Sequence, residues 1–314
     1  MEHVTHVAPE TKAATRVAAP VDLRKYAWLS IAAALATIFL KGAAWQITGS
    51  VGLLSDAAES LVNLVAAVVA LIALTVAMRP PDKNHHFGHS KAEYFSAGTE
   101  GLMIIVAAGV IIVSSVQRFL APQPLEQVGV GLLISVVASV INGLVGMVLI
   151  RVGRAHRSMT LVADGKHLWT DVVTSIGVII GVGLVWVTKW DRLDAIVAFA
   201  VAINILFTGW KLLRDSTEGL MDISLPKEQN ALLRDTLDRF RSEEIDFHAY
   251  RTRESGHRRF MECHMLVPGE WTVQQGHDAI EDITDALHEV MPELRVLIHL
   301  EPIEDPRSYE DIEV

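Results

Sequence analysis

Six long apolar segments in the first two thirds of the chain constrain its fold more than any other feature. They cover residues 26–47, 53–78, 97–119, 128–152, 160–187 and 193–213. A helix needs about 20 mostly apolar residues to cross the hydrocarbon core of a bilayer, and each segment meets that length. The sequence therefore predicts an α-helical membrane protein with six transmembrane helices.

The chain after residue 219 has a different character, because no apolar segment there is long enough to span a bilayer. Its hydrophobic periodicity predicts helices at 226–241 and 272–290 and strands at 246–253, 259–267 and 294–301. This α-β-β-α-β order is typical of a small α+β domain with helices on one face of a sheet. The formal net charge of the whole chain is −10, and the acidic excess lies in this part. Such a surface attracts cations and repels nucleic acid, so no nucleic-acid partner is expected.

These patterns divide the chain into four parts. We expect a disordered cytoplasmic tail at 1–22, a transmembrane domain at 23–219, a cytoplasmic domain at 220–306 and a second disordered tail at 307–314. Lys and Arg are concentrated in the connections on one side of the predicted spans. Because such residues favour the cytoplasmic side, both termini are expected in the cytoplasm. The single cysteine, Cys263, excludes an internal disulfide and a CxxC metal motif.

The strongest functional signal is a polar pair on each of two predicted spans. Glu59 and Asn63 lie on the second span, and His167 and Asp171 lie on the fifth. Residues four apart share a helical face, and ionisable residues inside a bilayer usually mark function. Two such helices packed together would form a site of nitrogen and oxygen ligands, which suits Zn²⁺ or, less selectively, Fe²⁺, Co²⁺ or Mn²⁺. The alternative is hydrogen bonding between helices without a metal, and a contribution from Asp56 is left open.

A second set of candidate ligands lies in the connection "RPPDKNHHFGHSKAEYF" between the second and third spans. Asp82, His85 and His89 have a spacing that can wrap around a metal ion. Histidines in a solvated loop are an equally good explanation of this motif alone.

The C-terminal domain carries a third set, on elements that can converge. In "LRVLIHLEP" the alternation places His299 and Glu301 on one strand face. His248 and His264 lie on the two other strands, and His277 lies on the second helix. We expect this cluster to bind metal, although strand histidines often have no ligand role.

Four segments together resemble the cation diffusion facilitator family of bacterial metal-ion/proton antiporters. They are "GSVGLLSDAAESLVN", "HFGHSKAE", "ADGKHLWTDVVTSIGV" and "RTRESGHRRF". Six spans followed by an α-β-β-α-β domain is also the architecture of that family. The resemblance implies a homodimer with three metal positions per protomer: a transport site, a loop site and a binuclear cytoplasmic site. The transport site would map to Glu59, Asn63, His167 and Asp171, and the loop site to Asp82, His85 and His89. The binuclear cytoplasmic site would map to His248, His264, His277, His299 and Glu301.

One residue pair departs from the family pattern. Well-known zinc-transporting members usually carry Asp/Asp or His/Asp on the second span, where this sequence has Glu59 and Asn63. A neutral amide is a weaker ligand than a carboxylate, so selectivity for Fe²⁺, Co²⁺, Ni²⁺ or Mn²⁺ stays open.

Lys91 and Asp222 match a charge pair of the family.

We therefore expect a divalent transition-metal exporter in the bacterial inner membrane that exchanges Zn²⁺ for protons. Zn²⁺ would be both the transported and the regulatory ion, and the partners would be the bilayer, metal ions, protons and a second copy of the chain. A membrane metal sensor that binds without transport is the main alternative. An intramembrane metallohydrolase would need a motif such as HExxH, which the sequence lacks, so no enzymatic activity is expected.

Overall fold

A computed structural model describes residues 21–48, 51–121, 128–188, 190 and 192–310. Six long helices form the N-terminal part. They are α1 (Arg24–Thr48), α2 (Val51–Ala77), α3 (Ala92–Leu120), α4 (Val128–Ala155), α5 (Met159–Thr188) and α6 (Arg192–Leu220). Four of them, α1, α3, α4 and α6, contain a described stretch that is long and apolar enough to cross a membrane. The predicted helical membrane architecture is confirmed.

Two pairs of helices approach each other through glycine. A Cβ atom on Gly101 of α3 would lie 2.9 Å from the backbone nitrogen of Leu213 on α6, and one on Gly209 of α6 would lie 3.0 Å from the carbonyl oxygen of Gly101. On α4 and α5, a Cβ atom on Gly146 would lie 3.0 Å from the carbonyl oxygen of Gly165, and one on Gly165 would lie 2.9 Å from the carbonyl oxygen of Gly146. Small residues let membrane helices pack at backbone distance, so these glycines fix which faces meet.

Helix α5 takes part in two separate apolar cores. One core joins it to α1, α2 and α4 and contains Leu23, Ala27, Leu74, Leu149, Leu161 and Leu168. The other joins it to α3 and α6 and contains Ala97, Ile104, Ala108, Ala163, Ile205 and Leu212. Two ionisable residues of α5 near these cores, Asp164 and His167, are buried in protein, which is the condition under which ionisable groups persist in a membrane.

The C-terminal part contains α7 (Lys227–Asp238), β1 (Asp246–Ser255), β2 (Arg258–Val267), α8 (Val273–Val290), β3 (Leu294–Pro302) and a short 3₁₀ helix (Pro306–Tyr309). Strand β2 lies between β1 and β3, and β2 pairs with β3 in parallel, which places His264 beside His299. A capping box starts α8, because Thr272 Oγ1 accepts from the Gln275 N–H and Gln275 Oε1 accepts from the Thr272 N–H. The predicted α-β-β-α-β order is confirmed.

Strand β2 separates the core of this part from its polar face. Met261, Cys263 and Met265 are buried in the apolar core, and the alternating residues Glu262 and His264 lie on the other face. Burial raises the pKa of the Cys263 thiol to about 12, so it remains a neutral core side chain and not a thiolate ligand.

The described residues form two compact units. One contains residues 22–223 together with 254–257, and the other contains 224–253 and 258–310. Each unit is therefore described by itself below. The domain limits of 23–219 and 220–306 drawn from the sequence stay a prediction.

Candidate metal centres

The first candidate centre lies between α2 and α5 in the helical unit. His167 Nε2 lies 2.7 Å from Asn63 Oδ1, and the Asn63 side-chain N–H donates to Asp171 Oδ2. Asn63 is 3% exposed and His167 is 6% exposed, while Asp171 is partly buried. The structure thus brings together three of the four residues that the sequence singled out for the transport site.

The amide of Asn63 determines which atoms face each other in this network. Its nitrogen donates to Asp171, so its oxygen is the acceptor that faces His167 Nε2. An amide oxygen offers no hydrogen, and Nε2 must therefore carry one in this arrangement. A metal ion bound through the same nitrogen would require that proton to leave, because only an unprotonated nitrogen has a free lone pair.

Glu59 is the fourth residue of the predicted transport site. It lies on α2 one helical turn before Asn63, but its side chain is outside the described part of the structure, as is that of Asp56. Residues four apart on a helix share a face, so its backbone position agrees with the predicted site. Its role as a ligand remains a prediction.

The sequence interpretation missed one residue of this centre, Asn142 on α4. Its side-chain N–H donates to Asp171 Oδ2 at 3.1 Å, and the residue is buried. Asp171 therefore accepts from two amides on two different helices, α2 and α4. The available signal was a lone asparagine in the otherwise apolar stretch "SVINGLVG", but an isolated polar residue in a span gives no indication of its partner.

The second candidate centre lies in the connection between α2 and α3. Asp82, His85 and His89 each place one ligand atom within 4.8 Å of the others. His85 Nδ1 lies 3.1 Å from Asp82 Oδ1, and His89 Nε2 lies 3.4 Å from Asp82 Oδ2. One carboxylate thus faces both imidazoles, and such a set of ligands fits a divalent cation.

Backbone geometry prepares Asp82 for this position. The N–H groups of Asn84 and His85 both donate to its Oδ1 at 2.8 Å. These bonds lower the pKa of the Asp82 carboxyl, the bond from Asn84 contributing most and that from His85 next. The carboxylate is therefore ionised at neutral pH and can attract a cation.

The third candidate centre is on the polar face of the C-terminal sheet. His248, His264 and Glu301 each place one ligand atom within 4.8 Å of the others. His248 Nε2 lies 2.9 Å from Glu301 Oε2, and His264 Nδ1 lies 3.2 Å from Glu301 Oε1. The Glu301 side chain is 13% exposed, so solvent reaches the cluster only in part. Two imidazoles and a carboxylate form a set that fits Zn²⁺.

The two remaining predicted ligands of this domain are placed differently. His299 Nε2 lies 3.5 Å from Glu301 Oε1, and its ring centroid lies 5.1 Å from that of His264, so it borders the cluster. His277 is exposed on α8 and does not belong to the group of three ligands within the described chain. Its ligand role stays a prediction.

The predicted charge pair is present inside the helical unit. Lys91 Nζ lies 3.0 Å from Asp222 Oδ1 and also donates to the carbonyl oxygen of Leu220 at 3.1 Å. This lysine therefore ties the start of α3 to the end of α6. Residue spacing could not have predicted the pair, which came from the family resemblance.

Comparison with known proteins explains this combination of helices, domain and candidate sites. Residues 27–221 match the family model described as the cation efflux transmembrane domain, and residues 225–303 match the one described as the cation efflux protein, cytoplasmic domain. The chain belongs to the cation diffusion facilitator family. It is thus a cation efflux transporter and not an enzyme.

Similar proteins cover nearly the whole transporter. An uncharacterized transporter of Synechocystis is 49% identical over 287 residues, which are 91% of this chain and 93% of that protein. The cation-efflux pump FieF of Salmonella arizonae is 30% identical over 271 residues, with 86% of this chain and 90% of the pump covered. FieF of Escherichia coli K12 is 29% identical over 273 residues, covering 86% and 90%.

Two solved structures are similar to about a quarter of the chain. A structure of CzrB in its zinc form is 32% identical, covers 26% of this chain and 93% of its own, and has a TM-score of 0.25. The metal-bound C-terminal domain of the CzcD transporter from Thermotoga maritima is 22% identical, covers 26% and 99%, and has a TM-score of 0.24.

Proposed function

We propose that this transporter exports Zn²⁺ from the cytoplasm in exchange for protons. The observation that carries the proposal is the buried contact of Asn63, His167 and Asp171 between two membrane helices. An imidazole nitrogen and carboxylate and amide oxygens are ligands that Zn²⁺ accepts, and their enclosure by protein suits an ion in transit. The names of the FieF relatives, cation-efflux pumps, support export as the direction.

The site's charges support proton exchange. Asp171 and Glu59 can together balance the +2 charge of the ion, with His167 neutral. Once the ion leaves, two carboxylates in a medium of low dielectric constant are costly, so proton uptake is favoured. In this proposal the empty site takes up that proton on His167, and the resulting imidazolium gives up one of its two N–H protons when the ion binds through Nε2, while Nδ1 keeps the other. Metal binding and proton release then become a single exchange.

The other two centres have supporting roles in this proposal. The loop set at Asp82 and the cluster around Glu301 lie outside the predicted spans, so neither forms part of the route across the bilayer. We assign the cluster around Glu301 to a resident regulatory Zn²⁺ and its domain, residues 220–306, to homodimerisation. The bias of Lys and Arg supports an inner-membrane protein with both termini in the cytoplasm.

The test is transport by the full-length chain in reconstituted vesicles, with a metal-sensitive dye inside and Zn²⁺, Fe²⁺, Co²⁺, Ni²⁺ or Mn²⁺ outside. Zn²⁺ should enter fastest, and an outward pH gradient, acidic inside, should accelerate it. Asp171→Asn should stop uptake, while Glu218→Gln, a change to an exposed pair with Arg214 on α6, should not. Faster uptake of another ion would reassign the substrate, and binding without uptake would favour the metal sensor.

A further inference from the structure

Two buried carboxylates lie in the helical unit outside the three metal centres. Glu100 on α3 is 0% exposed and Asp164 on α5 is 1% exposed. They adjoin the apolar core that joins α3, α5 and α6, since Ala97, Ile104 and Ala163 belong to that core. The two carboxylates are close enough to interact electrostatically.

The hydrogen bonding of this pair is incomplete. Ser30 Oγ on α1 donates to Asp164 Oδ1 at 3.0 Å. Within the described part of the chain, Asp164 Oδ2 and both oxygens of Glu100 have no hydrogen-bond partner. The Ser96 hydroxyl, one turn before Glu100 and also buried, lies near that carboxylate without forming a hydrogen bond. Buried polar atoms are nearly always bonded, so this cluster of unbonded atoms points to a ligand.

The charged groups around the pair do not neutralise it. Lys166, two residues after Asp164, interacts instead with Asp215 and Lys211 on α6 and with Arg154 on α4. Glu93, two turns before Glu100 on α3, already accepts a hydrogen bond from Ser158. On α2, Asp56 and Glu59 are acidic, and their side chains lie outside the described part of the structure. Among the described residues, no cationic side chain forms an ion pair with Glu100 or Asp164.

We propose that Glu100 and Asp164 form a proton-binding site, distinct from the metal centre of Asn63, His167 and Asp171. Two unpaired carboxylates buried at low dielectric constant cannot both stay ionised, so the pair holds one proton. The Ser30 hydroxyl donates to Asp164 at 3.0 Å, whereas the Ser96 hydroxyl lies near Glu100 but outside hydrogen-bonding geometry, so the ionised form of Asp164 is the better stabilised. The proton therefore resides on Glu100.

This site would couple to transport through α5, and the coupling rests on the proposed exchange function. Asp164 precedes His167 by three residues, so the two lie about one helical turn apart. When a divalent ion binds at His167, the Glu100 carboxylic acid releases its proton to water and becomes a carboxylate. This release lowers by one the positive charge that the helical unit gains when the ion binds.

The transport test compares wild type with Glu100→Gln and Asp164→Asn in vesicles that report Zn²⁺ and pH together. Protons released per Zn²⁺ should fall by about one in each variant, because one proton-binding group is lost from the exchange. Glu100→Asp should restore the ratio, and Glu218→Gln should leave it unchanged. An unchanged ratio in both Glu100→Gln and Asp164→Asn would overturn the proposal.

A second measurement does not depend on transport. The infrared spectrum of the solubilised full-length protein should show the carbonyl stretch of a protonated carboxylic acid, which disappears on Zn²⁺ binding and is absent from Glu100→Gln. If the band persisted in that variant, Glu100 would not hold the proton. If wild type took up Zn²⁺ without moving protons but showed this band, the proton site would stand and the proposed exchange would fail.

Discussion

The membrane centre and the cluster of the C-terminal domain use similar side chains in opposite surroundings. In the membrane, Asn63 and His167 are almost completely buried, and an amide connects the imidazole to the carboxylate of Asp171. In the C-terminal domain, Glu301 faces His248 and His264 directly, at the partly exposed surface of a sheet.

The difference shows how burial changes what a ligand set can do. A carboxylate in a membrane needs donors when no ion is present, and Asp171 accepts from the amides of Asn63 and Asn142. These bonds compete with an ion, which favours its release. At the partly exposed cluster water can solvate the ligands when no ion is bound, and His248 and His264 face the Glu301 carboxylate directly. The first arrangement suits an ion in transit, and the second suits an ion that stays.

The largest effect is expected from Asp171→Asn. The change removes the carboxylate on which both amides converge, so Zn²⁺ uptake should fall by more than about 100-fold, beyond the loss typical of supporting residues. Uptake is measured in vesicles, and Zn²⁺ binding by the C-terminal cluster serves as the internal control. If uptake fell by less than tenfold, the ion would not pass through this centre.

Glu301→Gln should affect binding more than transport. Loss of the shared carboxylate should weaken Zn²⁺ binding by the C-terminal cluster by about 10–100-fold, while uptake falls less than tenfold. Calorimetry in the Asp171→Asn background isolates this cluster from the membrane centre. Glu262→Gln is the matched control, since it removes an exposed carboxylate from the neighbouring strand. Equal losses in both variants would mean that overall acidity, and not coordination, binds the ion.

Asn142→Ala tests whether the amide from α4 positions Asp171. The carboxylate would keep its bond from Asn63 and lose the other, so we expect uptake to fall by about tenfold. Asn142→Asp removes the same N–H donor and adds a second carboxylate. If both variants transported at the wild-type rate, the bond from Asn142 would be only a contact between helices.

Asn63→Asp should alter the metal-ion preference of the transporter more than its uptake rate. It adds a carboxylate to the membrane centre and should strengthen Zn²⁺ binding while slowing release. Asn63→His should favour Zn²⁺ over Mn²⁺, because a nitrogen ligand suits the softer ion. Competition between the two ions during vesicle uptake measures the preference. An unchanged preference in both variants would leave Asn63 as a hydrogen-bonding residue between helices.

The smallest effect concerns the loop and its pH dependence. Because the folded loop lowers the pKa of Asp82, its ionised form stabilises the loop at neutral pH, and this contribution is lost only as pH falls through the lowered value. Weakening of Zn²⁺ binding between pH 7 and about 5 should therefore not come from Asp82, whose carboxyl stays ionised over that range. Asp82→Asn should weaken binding by a similar factor at both pH values. An Asp82→Asn effect confined to the lower pH would contradict this assignment.

Much of the fold could be predicted because its signals are local. Segment length and periodicity were enough to predict the six apolar segments and the α-β-β-α-β order. A spacing of four residues was enough to predict that the two polar residues of each pair share a face of their helix. Helix α3 nevertheless begins at Ala92, before its apolar segment at 97–119, because hydropathy does not detect a polar first turn. The sequence of one helix also does not reveal which other helix meets it.

The sequence by itself determined that polar side chains lie inside the membrane and which of them share a helical face. Only the tertiary structure decided that Asn63 bridges His167 and Asp171, that Asn142 donates to Asp171 from α4, and that Glu100 and Asp164 are both buried. The physical reason is the rotation of each helix about its axis. That rotation is set by distant contacts, such as the close approach of Gly146 and Gly165, and no spacing within a single segment encodes it.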